Sequence, residues 1–429
     1  PWAAVLGVEQ PLRCFHPGSN AVRKMNPPRA SVIVVSRHRP AALRRCVISL
    51  QQQDHPDFEV IIVADPQGIA IVNEMGLTIK LVGFDEPNIS AARNAGLRVA
   101  TGDVIAFIDD DAVAEPTWLT RLTLPLISNQ VVASTGFIRG RNGISYQWRA
   151  CEVDHLGQDH PLEVTSLTTR PATKHRAVKT QGTNCAFRRE TLLQIGGFDP
   201  ALRFFLDEAD VNLRLAGYGL TAIEPLAEVH HGFQASARRR ADRVPLSLYE
   251  IAASTAVFLR RHAGNVALTP GLLRLRSDQE SRLRRLQTQK KLSATEVRAL
   301  MESLKTGWAN GLTRNLDELD PIASSDTRFL PFEDTGPRQG VVISGRSWQR
   351  KRLINIAQAA RDQGMIVTVL CLSPTSRAHH IRFSEDGIWW QEGGLFGRRE
   401  REMPRFSWAR FSTRIAKERT KIAGVRPVV

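Results

Sequence analysis

The stretch 102-GDVIAFIDDDAVAEPTWL-119 decides how the rest of the chain is read. Val104 to Ile108 form an apolar run suited to a buried strand, and the run stops at three consecutive carboxylates, Asp109, Asp110 and Asp111. Like charges this close repel and raise one another's pKa, so the loop needs a positive partner. Hard oxygen ligands of this kind suit a divalent cation such as magnesium or manganese. A solvated turn leading to a helix start at Pro116 is the plainer alternative, since Asp and Pro both favour helix N-termini.

Upstream, "ASVIVVSRHRP" gives a strand over Ser31–Val35 running into a polar loop, and Leu43, Val47 and Leu50 follow at helical spacing. "FEVIIVADP" and "LTIKLVGF" read as two more strands, and "NISAARNAGLRVATG" as a helix closed by Gly102. Apolar strands alternating with helices predict a parallel sheet covered on both faces. Ligands of such sheets sit beyond the carboxyl ends of the strands, which aligns Ser36 and Arg37, Asp65, and Asp109 to Asp111 along one edge.

Downstream, Val131–Arg141 reads as a strand and 151–176 as a polar, irregular loop. "VKTQGTNCAFRRETLLQIGGFDPAL" reads as a strand and then a helix ended by Gly196-Gly197. "RFFLDEADVNLRLAGYGLTAIE" is expected to be one helix with Asp207, Glu208 and Asp210 in its first turn, where the helix dipole favours acids. "LAEVHHGFQAS" then offers a strand bearing His230 and His231.

Charge divides the chain of 429 residues. Pro1–Ser236 carries 23 Lys and Arg against 24 Asp and Glu, whereas Ala237–Val429 carries 35 against 19, a net of +16. An anionic partner for the second half is one reading of that asymmetry, and a solvated charged surface is the other. The five cysteines are scattered without C-x-x-C spacing, so neither a zinc site nor a disulfide framework is indicated, and a reducing compartment is expected. No stretch approaches the ~20 apolar residues of a spanning helix, and no signal-peptide pattern opens the chain.

Taken together, "SVIVVSRHRPAALRRCVISL", "VIIVADP", "NISAARNAGLRVATGDVIAFIDDDAVAEPTWL", "GTNCAFRRETLLQIGGFD" and "FLDEADVNLRLAGY" resemble, in order, the family-2 glycosyltransferases of the GT-A fold. The resemblance implies an α/β domain with a Rossmann-like, mostly parallel sheet over 30–236. It also implies an inverting transfer of a sugar from a nucleotide-diphosphate donor to an acceptor hydroxyl, with Mn2+ or Mg2+. By position, Ser36, Arg37, Asp65, Arg93, Asp109 and Asp110 would meet the donor, and Asp111, Asp109 and His231 the metal, with His230 a rival. Glu208 would be the proton acceptor, with Asp207 a competitor because the family's usual E-D order is exchanged here. Gly182, Thr183, Asn184 and Asp210 would lie on the acceptor side. The first loop, "SRHRP", departs from the family's usual Pro-Thr-Tyr-Asn type.

Outside 30–236, residues 1–29 read as an extension, 237–335 as a basic, mainly helical region with a linker, and 336–429 as a small α/β module with a hairpin at Asp386-Gly387. Expected partners are a nucleotide sugar, a saccharide or lipid-linked acceptor, and an anionic membrane surface touched by the basic half. The expected setting is the cytoplasm, or the inner membrane face, in polysaccharide or glycolipid assembly. Three rivals remain open. "DDDAV" also fits the D-x-D motif of haloacid-dehalogenase-like phosphatases, with Asp109 as nucleophile and Asp111 as acid. The basic half could serve a non-catalytic nucleic-acid-binding protein, although no reader motif is present and no nucleic acid is expected. A degenerate transferase used as a scaffold is the third.

Overall fold

The computed structural model describes residues 26–428 apart from Phe233, Ala237, Ser325 and Asp334; the expected N-terminal extension falls almost wholly outside the described residues. The chain opens β1 (Ala30–Ser36), α1 (Pro40–Leu50), β2 (Phe58–Ala64), α2 (Pro66–Asn73), β3 (Lys80–Gly83), α3 (Ile89–Leu97), β4 (Val104–Asp109). Every β2 residue is buried, as are all but the last of β4, which is why these strands read as unbroken apolar runs. Pro40 starts α1, where its missing N–H costs nothing, and Ala42, Leu43, Cys46, Val47 and Leu50 pack its inner face onto the sheet. Gly102 lets the chain into β4: a Cβ there would lie 2.5 Å from the Ala30 carbonyl carbon and 2.6 Å from the Ser31 nitrogen.

Next come β5 (Ala112–Ala114), α4 (Trp118–Thr123), β6 (Val131–Arg139), β7 (Tyr146–Trp148), β8 (Cys151–Asp154), β9 (Asp159–Pro161), β10 (Thr168–Pro171), β11 (Arg176–Val178) and β12 (Cys185–Arg188). The domain closes with α5 (Arg189–Gln194), α6 (Asp207–Arg214) and β13 (Leu220–His231). The main sheet runs β10-β13-β6-β12-β4-β1-β2-β3, with β5 on β13 and β7 on β6. β3, β2, β1 and β4 are parallel, and β12 enters antiparallel between β4 and β6. One core, around Trp118, Val34 and Ile62, lies under one face; the other, around Phe107, Phe187 and Phe198, lies under the opposite face. Fully burying each such side chain contributes about 1.5–3 kcal/mol.

Three expectations change. The 151–176 stretch is ordered: β8, β9 and β11 form a three-stranded antiparallel sheet and β10 extends the main one. Cys151 and Val153 point inward while Glu152 and Asp154 stay half-exposed, a period of two in a polar sequence. The helix from Asp207 ends at Arg214, because the positive φ of Gly217 (+88°) turns the chain and Leu220 already belongs to β13. "VKTQGTNCAFRR" is two strands in different sheets, β11 and β12. Gly196 and Gly197 do end α5 in left-handed conformations.

The second half begins with three helices, α7 (Tyr249–His262), α8 (Leu268–Thr288) and α9 (Ala294–Thr313). The last part holds β14 (Gly340–Arg346), α10 (Arg350–Asp362), β15 (Ile366–Ser373), β16 (His380–Phe383), β17 (Trp389–Gly394) and α11 (Phe411–Ile422), with a four-stranded sheet ordered β14-β15-β17-β16. This module is docked on the first domain. Gln52 Nε2 donates to the Gly387 carbonyl at 2.6 Å, Trp389 Nε1 donates to Gln52 Oε1 at 3.0 Å, and Arg121 donates to the Gly424 carbonyl at 2.8 Å. No helix among the described residues is long and apolar enough to cross a membrane.

Candidate active site

The rim forms where β4 ends. β5 leaves the triple-aspartate turn antiparallel to the end of β13, pairing Ala112 with His231 and Val113 with His230. That pairing brings the turn and the histidines together, and the alternation of a strand sends the two imidazoles to opposite faces. His231 Nε2 lies 3.0 Å from Asp111 Oδ1 and 4.0 Å from Asp109 Oδ2, while its Nδ1 is 2.8 Å from Gln147 Oε1. His230 points away, its Nε2 2.8 Å from Glu115 Oε1. His231 is therefore the histidine that faces the aspartate turn, while His230 faces Glu115 and Glu228, a second group able to hold a metal ion.

The three aspartates have different surroundings. Asp109 is 30% exposed and accepts a short hydrogen bond from Thr183 Oγ1. Asp110 is sealed: Ser36 Oγ donates to it at 2.7 Å and Arg39 Nη2 lies 2.5 Å from Oδ1. Burial pushes its carboxyl up to about 7, against the pull of Arg39. With no exposed surface, Asp110 anchors Ser36 and Arg39 beneath the rim. Asp111 is also buried, but the His231 hydrogen bond and the charges of His231 and Arg39 outweigh that burial and hold it well below the usual carboxylate range. The Gln234 N–H adds a bond of 2.8 Å, and Arg39 Nη1 and Arg239 Nη2 stand 3.4 and 3.7 Å from Asp111 Oδ2.

Asp109, Asp111 and His231 present one ligand atom each, all within 4.8 Å of one another. Two carboxylate oxygens and an imidazole fit a hard or borderline divalent ion, Mn2+ or Mg2+. The arginines contact Asp110 and the outer oxygen of Asp111, so Asp111 Oδ1 remains on the side of this cluster.

The second acidic cluster lies across Arg93. Its guanidinium is buried over the Phe198 ring (5.0 Å), with Nη1 pairing with Asp207 at short range and with Glu208 at 3.1 Å. Nη2 stands 3.9 Å from Asp109, so one side chain spans both clusters. The two acids differ: the Asp207 side chain is 4% exposed and Glu208 19%. Burial and the neighbouring Glu208 raise Asp207, whereas Arg93, working against burial, keeps Glu208 low and ionised. Gly182 fits here because a Cβ would overlap both Arg93 and Glu208.

The other expected site residues have partners of their own. Asn184 is fully buried, accepting from Trp118 Nε1 at 2.8 Å and donating to the Phe137 and Ala227 carbonyls, so its amide is used up inside the sheet rather than offered to an acceptor. Asp210 is clamped by Arg214 (2.6 Å) and His262 (2.9 Å), which ties α6 to α7 and removes it from the acceptor side. Asp65 caps α2 and accepts the His38 N–H at 2.9 Å, and Arg37 pairs with Asp85 at 2.8 Å. Arg39, Gln147 and Arg239 contact the rim without having been expected there. Arg39 lay in the atypical "SRHRP" loop and Arg239 in a basic run, while Gln147 stood in no motif. The phosphatase alternative gains no support, since Asp111 is paired with His231 rather than standing free as an acid.

A parallel sheet ending in this acidic turn, with an acidic helix across it, is the arrangement that the GT-A resemblance implies. Residues 31–196 match the description of glycosyl transferase family 2. A glucosyl-dolichyl phosphate glucuronosyltransferase of Haloferax volcanii is 26% identical over 181 residues, covering 40% of this chain and 56% of its own. An uncharacterised glycosyltransferase of Haemophilus influenzae is 31% identical over 192 residues, covering 43% and 61%. The chain thus spans little more than half the length of these relatives. The mannosyltransferase PcManGT of Pyrobaculum calidifontis, solved with GDP-Man and Mn2+, superposes with a TM-score of 0.41 at 16% identity, covering 67% of this chain and 88% of that one.

Proposed function

We propose that the protein is an inverting glycosyltransferase that uses a nucleotide-diphosphate sugar, with Asp109, Asp111 and His231 holding Mn2+ or Mg2+ and Glu208 accepting the proton of the acceptor hydroxyl. The observation that carries this reading is the Arg93 bridge, which sets the Asp109 carboxylate 3.9 Å from one end of a guanidinium and Glu208 3.1 Å from the other. Inversion needs leaving group and base on opposite sides of the anomeric carbon, and two acidic clusters on either side of one buried cation suit that demand. A bound divalent ion would supply charge stabilisation to the departing diphosphate. Glu208 is ionised and partly open, the state a general base requires, while Asp207 is buried and shifted towards its protonated form. Arg93 orients Glu208 and keeps it charged. Thr183 fixes the Asp109 carboxylate.

The reading extends to a saccharide or lipid-linked acceptor at an anionic membrane surface on the cytoplasmic side, in polysaccharide or glycolipid assembly. Residues 336–429 support it with 18 Lys and Arg against seven Asp and Glu, and with Trp348 and Trp408 each 70% exposed. The test is a donor screen with purified protein, with and without Mn2+, together with Asp111→Asn and Glu208→Gln. Sugar release that needs Mn2+ and falls in both variants supports the assignment. Full turnover in Glu208→Gln with loss in Asp207→Asn would move the base to Asp207.

A further inference from the structure

Four basic residues distant in sequence meet in one place. Arg141 follows β6, Arg243 lies in the segment between β13 and α7, and His380 and Arg401 belong to the C-terminal module. With Asn142 and Gln147 among the other walls, they line an open pocket of about 470 Å³ with no carboxylate among the described residues of its lining.

The pocket is a built feature. Arg141 Nε and Nη2 donate to the carbonyls of Gly232 (3.0 Å) and Ala241 (3.3 Å), fastening the segment that carries Arg243. The Ile381 N–H donates to the Asn142 carbonyl at 3.0 Å and the Arg401 N–H to the Ile144 carbonyl at 3.2 Å, so the module's own backbone completes the wall. Arg243 is held at φ +70°, a conformation unfavourable to a side chain with a Cβ. Partial burial and the repulsion of Arg141 and Arg239 also pull its pKa down. Strain and like-charge crowding at one residue are offset when an anion sits among the guanidiniums.

We propose that this pocket is a phosphate-binding site. Arginine forks match phosphoryl oxygens, and the volume leaves room for a phosphate with the group attached to it. Two molecules of the sugar-transfer reading bring that chemistry, a phosphorylated acceptor and the donor's diphosphate. The pocket adjoins Gln147, which binds the Nδ1 edge of His231, whereas the Asp111 side of the ring is the Nε2 edge. This placement on the far edge from the cation cluster favours the acceptor's phosphate; that assignment rests on the proposed function, while phosphate binding itself does not.

The test is calorimetric titration of the whole chain with inorganic pyrophosphate, without divalent ions, in wild type, Arg401→Ala and Arg243→Gly. Each variant is expected to weaken binding about tenfold, as loss of one charge-assisted contact does, and glycine at φ +70° relieves strain and preserves the fold. Mn2+ affinity, read by electron paramagnetic resonance, stays at the wild-type value and reports an intact fold. Octyl phosphate and a nucleoside diphosphate form separate arms: losses confined to octyl phosphate identify the acceptor, and losses confined to the nucleotide identify the donor. Pyrophosphate affinities equal within about twofold in all three proteins, or no pyrophosphate binding by wild type, overturn the proposal. Weakened pyrophosphate binding in the variants upholds the pocket even if no sugar transfer is ever detected, and unchanged binding overturns it even in an active transferase.

Discussion

Replacing Arg426 by methionine removes the charge that joins the C-terminal module to the strand pair behind the rim. Arg426 is 3% exposed, its Nε and Nη2 lie 2.5 and 2.7 Å from the Glu115 carboxylate, and its guanidinium stands 3.7 Å from the Trp389 ring centre. Glu115 is as deeply buried, and its other partner is His230 at 2.8 Å. Burial alone would raise the Glu115 pKa, but Arg426 and His230 bring it from 4.5 down to about 2. A depression of that size corresponds to about 3 kcal/mol of stability at neutral pH. Because the folded value is depressed, the contribution is complete above pH ~4.5 and is lost as pH falls towards ~2.

The assay is chemical denaturation of wild type, Arg426→Met, Glu115→Gln and the double variant, at pH 7 and pH 3. Either single change strands a buried charge and is expected to cost about 3–5 kcal/mol, whereas removing both costs less than the sum. The coupling energy should be about 3 kcal/mol at pH 7 and shrink at pH 3. Additivity within about 0.5 kcal/mol, or a coupling that does not change with pH, would refute the claim that this pair binds the module to the domain.

Asp111→Asn and His231→Ala should each weaken Mn2+ binding by tenfold or more on the order of a lost ligand, while His230→Ala leaves Mn2+ affinity intact and lowers the denaturation midpoint. Glu208→Gln should cut turnover by about 10²–10⁴ with Mn2+ affinity unchanged, as removal of a general base does. Arg93→Met should destabilise by about 3–5 kcal/mol, since it strands Asp207 and Glu208 together, and Asp207→Asn in the same chain should recover part of that loss in a denaturant titration.

Elements that depend on local pattern were legible in the sequence. The strands β1, β2 and β4 are apolar because both sheet faces are covered, and the acids at the strand ends follow from the parallel topology. Where pattern was weak, reading failed: β8, β9 and β10 are three or four residues long, too short for alternation to stand out from a polar loop. The helix through Asp207 was read too far because "AGYGL" holds its turn in two glycines, and the apolar residues beyond it continue a plausible helical face. Charge partners were the least legible. Arg39 meets Asp110, and Arg426 meets Glu115 across 311 positions; pairings of this range leave no trace in local spacing.

The arginines at the rim bear on the central assignment, because carboxylates fully spent on guanidinium would make a poor cation site. Here the pairing is divided by atom. Arg39 takes Asp110 Oδ1 and, with Arg239 and the Gln234 N–H, the outer oxygen of Asp111. Asp111 Oδ1, Asp109 Oδ2 and His231 Nε2 are turned towards one another instead, and Asp109 is the most open of the three aspartates. Such an arrangement lowers the repulsion within the acidic turn while no guanidinium takes Asp111 Oδ1 or Asp109 Oδ2, which is what the proposed cation site requires of the arginines. It follows that Arg39→Ala should loosen the turn and alter Mn2+ affinity in a measurable way: if Arg39 competes for Asp111, affinity rises, and if it holds the turn in shape, affinity falls. The division of oxygens seen here requires the fall, and a rise in Mn2+ affinity would show that the arginine and the ion contend for the same carboxylate.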